Sequence, residues 1–318
     1  MEACAVLAME KRHFVWKLSG RELLLGERTL LMGVLNVTPD SFSDGGKYLD
    51  PDRAFARAVE LEEQGADIID IGAESTKPGS VRISEAEELR RLVPVLKRLN
   101  GKLTVPISVD TYKSAVAEKA LEHGAALIND PSGLTFDAQL ARVAAQHDAG
   151  LIITHMRGTP ETWAKLAPIK DVMGTIRQDL DASTHRAVRA GVDRARIAID
   201  PGLGFGKRKE QNAEILAHLS AFAPLEFPLV VGPSRKSFLP QLEKPSAGFL
   251  QCATAAAVTA AILGGAHVVR IHDVLEMKAA ALVADQVFTY LGPSFAGTSD
   301  NSASRAAPPR SGGSAFRK

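Results

Sequence analysis

Short runs rich in Val, Ile and Leu recur along the chain, and each ends in a polar residue or a glycine. They read Thr29–Asn36, Asp67–Gly72, Val105–Asp110, Ala126–Asp130, Leu151–His155, Arg196–Asp200, Pro228–Gly232 and His267–Asp273. Their length and nearly continuous apolar character predict strands covered on both faces. Helix-period stretches separate them. Pro51–Gln64 has Asp50 as a cap, Pro51 at the first helical position and Gly65 as the stop. Ser84–Leu99 opens with Ser84 and Glu87 in capping-box spacing. Gly65, Gly124, Gly150 and Gly265 each read as a helix stop before a buried strand, a punctuation that predicts parallel strands joined by helical crossovers. Eight such units predict an α/β fold, a (β/α)8 TIM barrel. An open doubly wound sheet is the competing arrangement, but Lys207 in "DPGLGFGK" stands where GxGxxG needs its third glycine. That stretch is not a P-loop either.

His13–Leu18 and Glu22–Leu25 flank Ser19-Gly20 and predict a short hairpin over the N-terminal end of the barrel. Residues 1–291 form one predicted domain. From Gly292 to Lys318 the chain is rich in Ser, Gly, Pro and Arg, which predicts a disordered tail.

Composition narrows the function. The 318 residues are 45% hydrophobic and 24% charged, with a net charge of +1, so no clustered basic face points to nucleic acid. Cys4 and Cys252 are the two cysteines and share no metal or redox spacing. With no secretory leader pattern at the N-terminus, the expected location is cytoplasmic. The longest apolar stretch, Ala253–Val269, is broken by Thr254, Thr259 and His267, and predicts a packed helix and strand rather than a membrane span.

In such barrels function sits at the C-terminal strand ends. Here those ends carry Asn36, Asp70, Asp110, Asn129, Asp130, His155, Asp200, Arg270, His272 and Asp273. Any one Asp or Asn behind a strand can simply cap the next helix. Asp110, Asn129 and Asp200, however, end different strands and must converge in a closed barrel. Two carboxylates and an amide suit a planar heterocycle bearing several N–H donors; a transition-metal cluster would call for more histidine. Long loops follow the first two strands, Asn36–Pro51 and Glu74–Glu85, as lids do. Cations gather after the last two: Arg235 and Lys236, then Arg270 and His272. Arg270 and His272 lie next to Asn36 across the barrel closure and are placed to hold phosphate or pyrophosphate. Arg235-Lys236 at a helix start would oppose the macrodipole, which argues for a functional role.

Together these segments resemble dihydropteroate synthases of the folate pathway. The matching stretches are "MGVLNVTPDSFSDGG" (Met32–Gly46), "GADIIDIGAESTKPG" (Gly65–Gly79), "VPISVDTYK" (Val105–Lys113), "LINDPSG" (Leu127–Gly133), "THMRGTP" (Thr154–Pro160), "IAIDPGLGFGK" (Ile197–Lys207), "VGPSRKSF" (Val231–Phe238) and "VVRIHDV" (Val268–Val274). The resemblance implies a transferase that joins p-aminobenzoate to 6-hydroxymethyl-7,8-dihydropterin pyrophosphate and releases pyrophosphate, by a largely dissociative route without a protein nucleophile. It implies pterin binding by Asp110, Asn129, Asp200 and Lys236, with Arg270 over the ring, and catalytic roles for Asp110, Asp200, Lys236, Arg270 and His272. It further implies pyrophosphate binding by Asn36, Arg270 and His272, Mg²⁺ on Asn36, and a p-aminobenzoate pocket of Phe42, Thr76, Pro78, Arg235 and Ser237. A homodimer is implied as well. Lys77 stands where many members have Arg, and Pro233 where a smaller residue is common. Two alternatives stand beside this one: a corrinoid-linked methyltransferase sharing the pterin pocket, and a catalytically silent pterin-binding barrel.

Overall fold

The computed structural model describes residues 11–38, 50–239 and 246–291. Two antiparallel strands, β1 (Phe14–Leu18) and β2 (Arg21–Leu25), precede eight parallel ones: β3 (Leu30–Asn36), β4 (Ile68–Gly72), β5 (Ile107–Asp110), β6 (Leu127–Asp130), β7 (Gly150–Thr154), β8 (Ile197–Asp200), β9 (Val230–Val231) and β10 (Val268–Ile271). Helices α1 (Pro51–Glu63), α2 (Glu85–Leu99), α3 (Ser114–Glu122), α4 (Leu140–Gln146), α5 (Val172–Arg189), α6 (Lys209–Ala217), α7 (Ala247–Leu263) and α8 (Val274–Phe288) follow the barrel strands in turn. The ladder runs from β8 down to β3, then through β10 to β9. It closes between β8 and β9 through a single bridge, Ile199 to Leu229. This is the eight-unit barrel the pattern predicts.

Alternation along the strands explains both the core and the site. Successive side chains point to opposite faces. Leu31, Leu35, Ile69, Ile71, Val109, Ile128 and Ile153 point outward and bury against the helices. Met32, Ile68, Leu127, Ile152, Ala198, Val230 and Val268 point inward. Two residues further along, the inward positions turn polar: Asp70, Asn129, Thr154, Asp200 and Arg270. The barrel is thus dry at one end and charged at the other.

The hairpin plugs the dry end. Trp16, fully buried, packs with Leu18 and Leu25 against those inward apolar residues. Its indole N–H donates to the Arg196 carbonyl at 2.9 Å, and Arg196 returns a bond to the Leu18 carbonyl at 3.0 Å.

Local signals mostly act as read. Asp50 caps α1, accepting from the Asp52 N–H, with Pro51 in first position. Ser84 caps α2 through the Glu87 N–H, while the Glu87 carboxylate goes to Arg90 and Arg91. Gly65, Gly124 and Gly265 adopt positive φ. Gly150 departs from its expected role. It lies inside β7 without positive φ, and Asp148 takes the left-handed turn after α4 instead, at φ 51°. Gly150 is glycine because Leu18 of the plug packs where a Cβ would stand. The expected tail from Gly292 lies outside the described residues.

Gly150→Ala should therefore destabilise the fold, and Leu18→Ala should relieve it. Urea unfolding of both single variants and the pair should give a coupling energy of about 1 kcal/mol or more. Strict additivity would mean that the two residues do not compete for the same space.

Candidate active site

Strand register aligns the site. Asn36 pairs with Gly72, Gly72 with Asp110, and Asp110 with Asn129, so three predicted residues share one row across β3 to β6. Asp200 ends β8 beside Thr154. Arg270 enters from β10, two positions beyond the buried Val268.

Its guanidinium is the centre of the site. Nε donates to Asp70 at 2.6 Å, and a terminal nitrogen donates to Asp110 at 2.8 Å. The Asn129 amide donates to the same Asp70 oxygen at 3.3 Å. Asp70 is fully buried, so two carboxylates share one cation. Burial first, then the charge of Asp70, raises Asp110, with Arg270 opposing; its carboxyl is pushed up to about 7. The two acids hold the Arg270 guanidinium firmly protonated against burial.

On the opposite wall, Asp200 accepts from the Gly202 N–H at 2.7 Å, and burial raises its pKa. Lys236 stands over the Phe205 ring at 4.3 Å. Burial and Arg270 lower its ammonium to about 8, while Asp200 and Asp110 oppose. Lys207, the residue that spoils the dinucleotide motif, is half-buried. It donates to the carbonyls of His155, Gly202 and Phe205 at 3.0, 2.7 and 3.3 Å, holding the loop that presents Asp200 and Phe205.

His272 faces the Ser234 hydroxyl, with Nδ1 2.9 Å from Oγ; its own N–H lies 3.3 Å from that oxygen. Burial, then Arg235 and Arg270, hold the imidazole neutral. Ser234 accepts from the backbone N–H. With the hydroxyl assigned as donor to Nδ1, the neutral imidazole carries its proton on Nε2. Arg235 adopts a left-handed backbone, φ 56°, its N–H on the Thr254 hydroxyl at 3.3 Å and its guanidinium bidentate on Asp273 at 3.1 and 2.6 Å. The helix-start argument for Arg235-Lys236 is corrected here: they lie in a turn, and α7 begins only at Ala247 with Ser246 as its cap.

One cavity of about 680 Å³ is lined by Asn36, Thr76, Pro78, Asp110, Arg235, Lys236, Ser237, Arg270 and His272, with Phe205 and Trp163. Asn129 and Asp200 lie in the same strand-end layer and are each 7% exposed. Phe42 lies outside the described residues. Asp70 was read only as one of many strand-end residues, with no role. Its signal was an acid at an inward position, two residues before Gly72.

A buried array of acceptors beside a cluster of cations, at the mouth of a barrel, defines a binding site for a nitrogen-rich heterocycle carrying an anionic group. A family model described as "Pterin binding enzyme" matches residues 32–272. The dihydropteroate synthase of Synechocystis is 44% identical over 264 residues, covering 83% of this chain and 91% of that one. The Yersinia pestis dihydropteroate synthase, solved in complex with a sulfonamide drug, superposes with a TM-score of 0.82 at 38% identity, covering 87% of this chain and all of that one. The Xanthomonas albilineans dihydropteroate synthase, solved with 4-aminobenzoic acid, gives 0.78 at 36% identity, covering 86% of this chain and 98% of that one. The chain belongs to the pterin binding enzymes and, within them, to the dihydropteroate synthase family.

Asp70→Ala leaves the guanidinium with Asp110 alone. Unfolding free energy should fall by roughly 3 kcal/mol, the low end for breaking a buried pair, because one carboxylate remains. In Asp70→Asn the like charge is gone, so the Asp110 carboxyl should titrate below its wild-type value in carboxyl NMR. An unchanged titration would mean that the two acids do not share the cation.

Proposed function

We propose that this mouth condenses 6-hydroxymethyl-7,8-dihydropterin pyrophosphate with p-aminobenzoate, giving 7,8-dihydropteroate and pyrophosphate. The enzyme is a transferase of folate biosynthesis. The observation that carries the assignment of residues is one cavity that brings the Asp110 carboxylate together with the cations Lys236 and Arg270 and the neutral imidazole of His272, beside the buried Asn129 and Asp200 of the same strand-end layer. The acceptors and Lys236 suit the polar edge of the pterin; Arg270 and His272 suit pyrophosphate.

In the reaction the bond from the pterin methylene to oxygen breaks, and its electron pair leaves with pyrophosphate. Positive charge spreads into the ring, where the Asp110 and Asp200 carboxylates stabilise it. Arg270 keeps Nε on Asp70 and turns its free edge from Asp110 to the ring and the leaving group. His272 donates from Nε2 to a pyrophosphate oxygen. The amine of p-aminobenzoate, held by Thr76, Pro78, Arg235 and Ser237, attacks the methylene and gives up a proton. Phe42 belongs to the same expected pocket.

Asn36 lines the cavity with an amide oxygen, a hard donor suited to Mg²⁺. Among the described residues no group of three or more His, Cys, Asp or Glu is arranged to hold a metal. Asn36 would hold Mg²⁺ together with oxygens of the substrate's pyrophosphate. When bound, Mg²⁺ neutralises charge on the leaving group.

The reading extends to a cytoplasmic homodimer. No described helix is long and apolar enough to cross a membrane, and Cys252 is an exposed free thiol. Leu275, Leu282, Val283 and Val287 of α8 are exposed, as is Tyr290 just beyond its end. Beside it α7 shows Cys252, Ala256 and Ala260 outward, while Thr254, Ala257, Val258 and Ala261 face in. A contiguous apolar surface of this kind suits a second copy. Leu282→Asp with Val283→Asp should shift the protein to monomer in sedimentation; a monomeric parent would end that part of the reading.

Pyrophosphate release, assayed with and without p-aminobenzoate, tests the activity; release that ignores the amine would defeat it. The pH profile tests the residues. Asp110 must be ionised to accept, so kcat/KM for the pterin substrate should fall as pH drops through about 7. Lys236 must be charged to donate fully to the pterin, so kcat/KM should also fall as pH rises through about 8. Asp110→Asn should abolish the acid limb, and Lys236→Arg should move the alkaline limb upward.

A further inference from the structure

Glu74 opens the second loop, and its carboxylate returns to the loop's far end. Oε2 accepts from the backbone N–H of Ile83 at 3.1 Å, nine residues on, and from the Lys113 ammonium at 2.6 Å. Oε1 accepts from the Tyr112 hydroxyl at 2.9 Å. Lys113, 8% exposed, also donates to Glu88 of α2 at 2.5 Å, and Glu88 is 1% exposed. The neck of the loop is therefore fastened to α2 and to the segment directly behind Asp110. Nothing in the reaction above uses these four side chains.

The remaining bonds of the loop are of a different kind. The Ser80 hydroxyl lies 2.6 Å from the Ser75 carbonyl and 2.7 Å from that of Lys77, so these bonds are internal. The Gly79 N–H donates to the Pro160 carbonyl, the Arg82 guanidinium stands over the Phe136 ring, and Arg82 meets the Glu161 carboxylate at the surface through its N–H at 3.4 Å and its guanidinium at 4.0 Å. The clasp is the charged connection that is also buried, and buried charge is unforgiving. Without Lys113, two carboxylates face one another out of water, and one must take a proton or move away. Where Glu74 moves away, Ile83 loses its partner.

We propose that Glu74, Lys113 and Glu88 form a clasp of positioning residues that holds Thr76 and Pro78 in the geometry that receives p-aminobenzoate. The proposal rests on the reading that those two residues line the aryl-amine pocket. Lys113 is joined to Asp110 through only Thr111 and Tyr112, so one short segment serves both substrates. The clasp makes no bond to Arg270 or Asp200; its tie to the pterin side is the charge of Glu88, a minor contribution to the raised Asp110, so pterin binding should change far less than p-aminobenzoate binding.

The bond whose N–H the clasp holds, Arg82–Ile83, is itself a trypsin site, which gives a readout free of activity. In Lys113→Met and the milder Glu74→Gln, trypsin should cut there faster than in the parent. The KM for p-aminobenzoate should rise about tenfold or more, in line with losing a charge-assisted contact. Calorimetric affinity for the pterin pyrophosphate should stay near the parent's, which also confirms folding, and Lys113→Arg should recover much of the loss. Unchanged trypsin cleavage in both variants would overturn the clasp. Faster cleavage with unchanged KM would overturn its role in binding, and Thr76→Ala then separates the causes. If Thr76→Ala also leaves KM unchanged, the pocket assignment has failed; if it raises KM, the clasp alone has.

Discussion

The mouth of the barrel is organised around one buried guanidinium. Arg270 lies between Asp70 and Asp110. Burial lifts the Asp110 carboxyl toward neutral pH, with Arg270 opposing and Asp70 adding to the rise. Asp200, Asp110 and Phe205 in turn favour the Lys236 ammonium where burial would strip its proton. The strongest donor of the mouth is already engaged by its strongest acceptors, so a ligand that brings its own N–H groups would exchange one set of bonds for another and avoid exposing bare charge.

That arrangement depends on the dry end below it. A guanidinium shared by two acids gains most where water is excluded. Trp16, Leu18 and Leu25 exclude it from the bottom, closing a barrel whose own inward residues are as small as Ala198 and Val230. The plug and the charge layer are two halves of one solution. Gly150 shows how closely they are fitted, since it gives up a side chain so that Leu18 can approach.

Much of this was legible in the chain, for a physical reason. Parallel strands covered on both faces are apolar without interruption, so a polar residue at their end stands out, and Asn36, Asp110, Asn129 and Asp200 did so. Asp70 stands inside a strand, and its meaning comes from Arg270, two hundred residues away. The clasp was hidden for the same reason: Glu74, Glu88 and Lys113 read singly as loop and helix charges. Arg235 reads as a helix start because sequence marks a cation without marking the left-handed turn that Thr254 and Asp273 secure. Gly150 reads as a helix stop because its neighbour across the core, Leu18, belongs to the distant hairpin.

The barrel's closure bears on how such a molecule breathes. Seven of its eight seams are ladders, and the eighth, between β8 and β9, is held by the lone bridge from Ile199 to Leu229. Local opening begins where fewest bonds resist it. Asp200 stands on one lip of this seam and Lys236 follows the strand that forms the other. The charged mouth straddles the fault line of its own scaffold, so a ligand that spans both lips would act as a rivet and stiffen the whole ring.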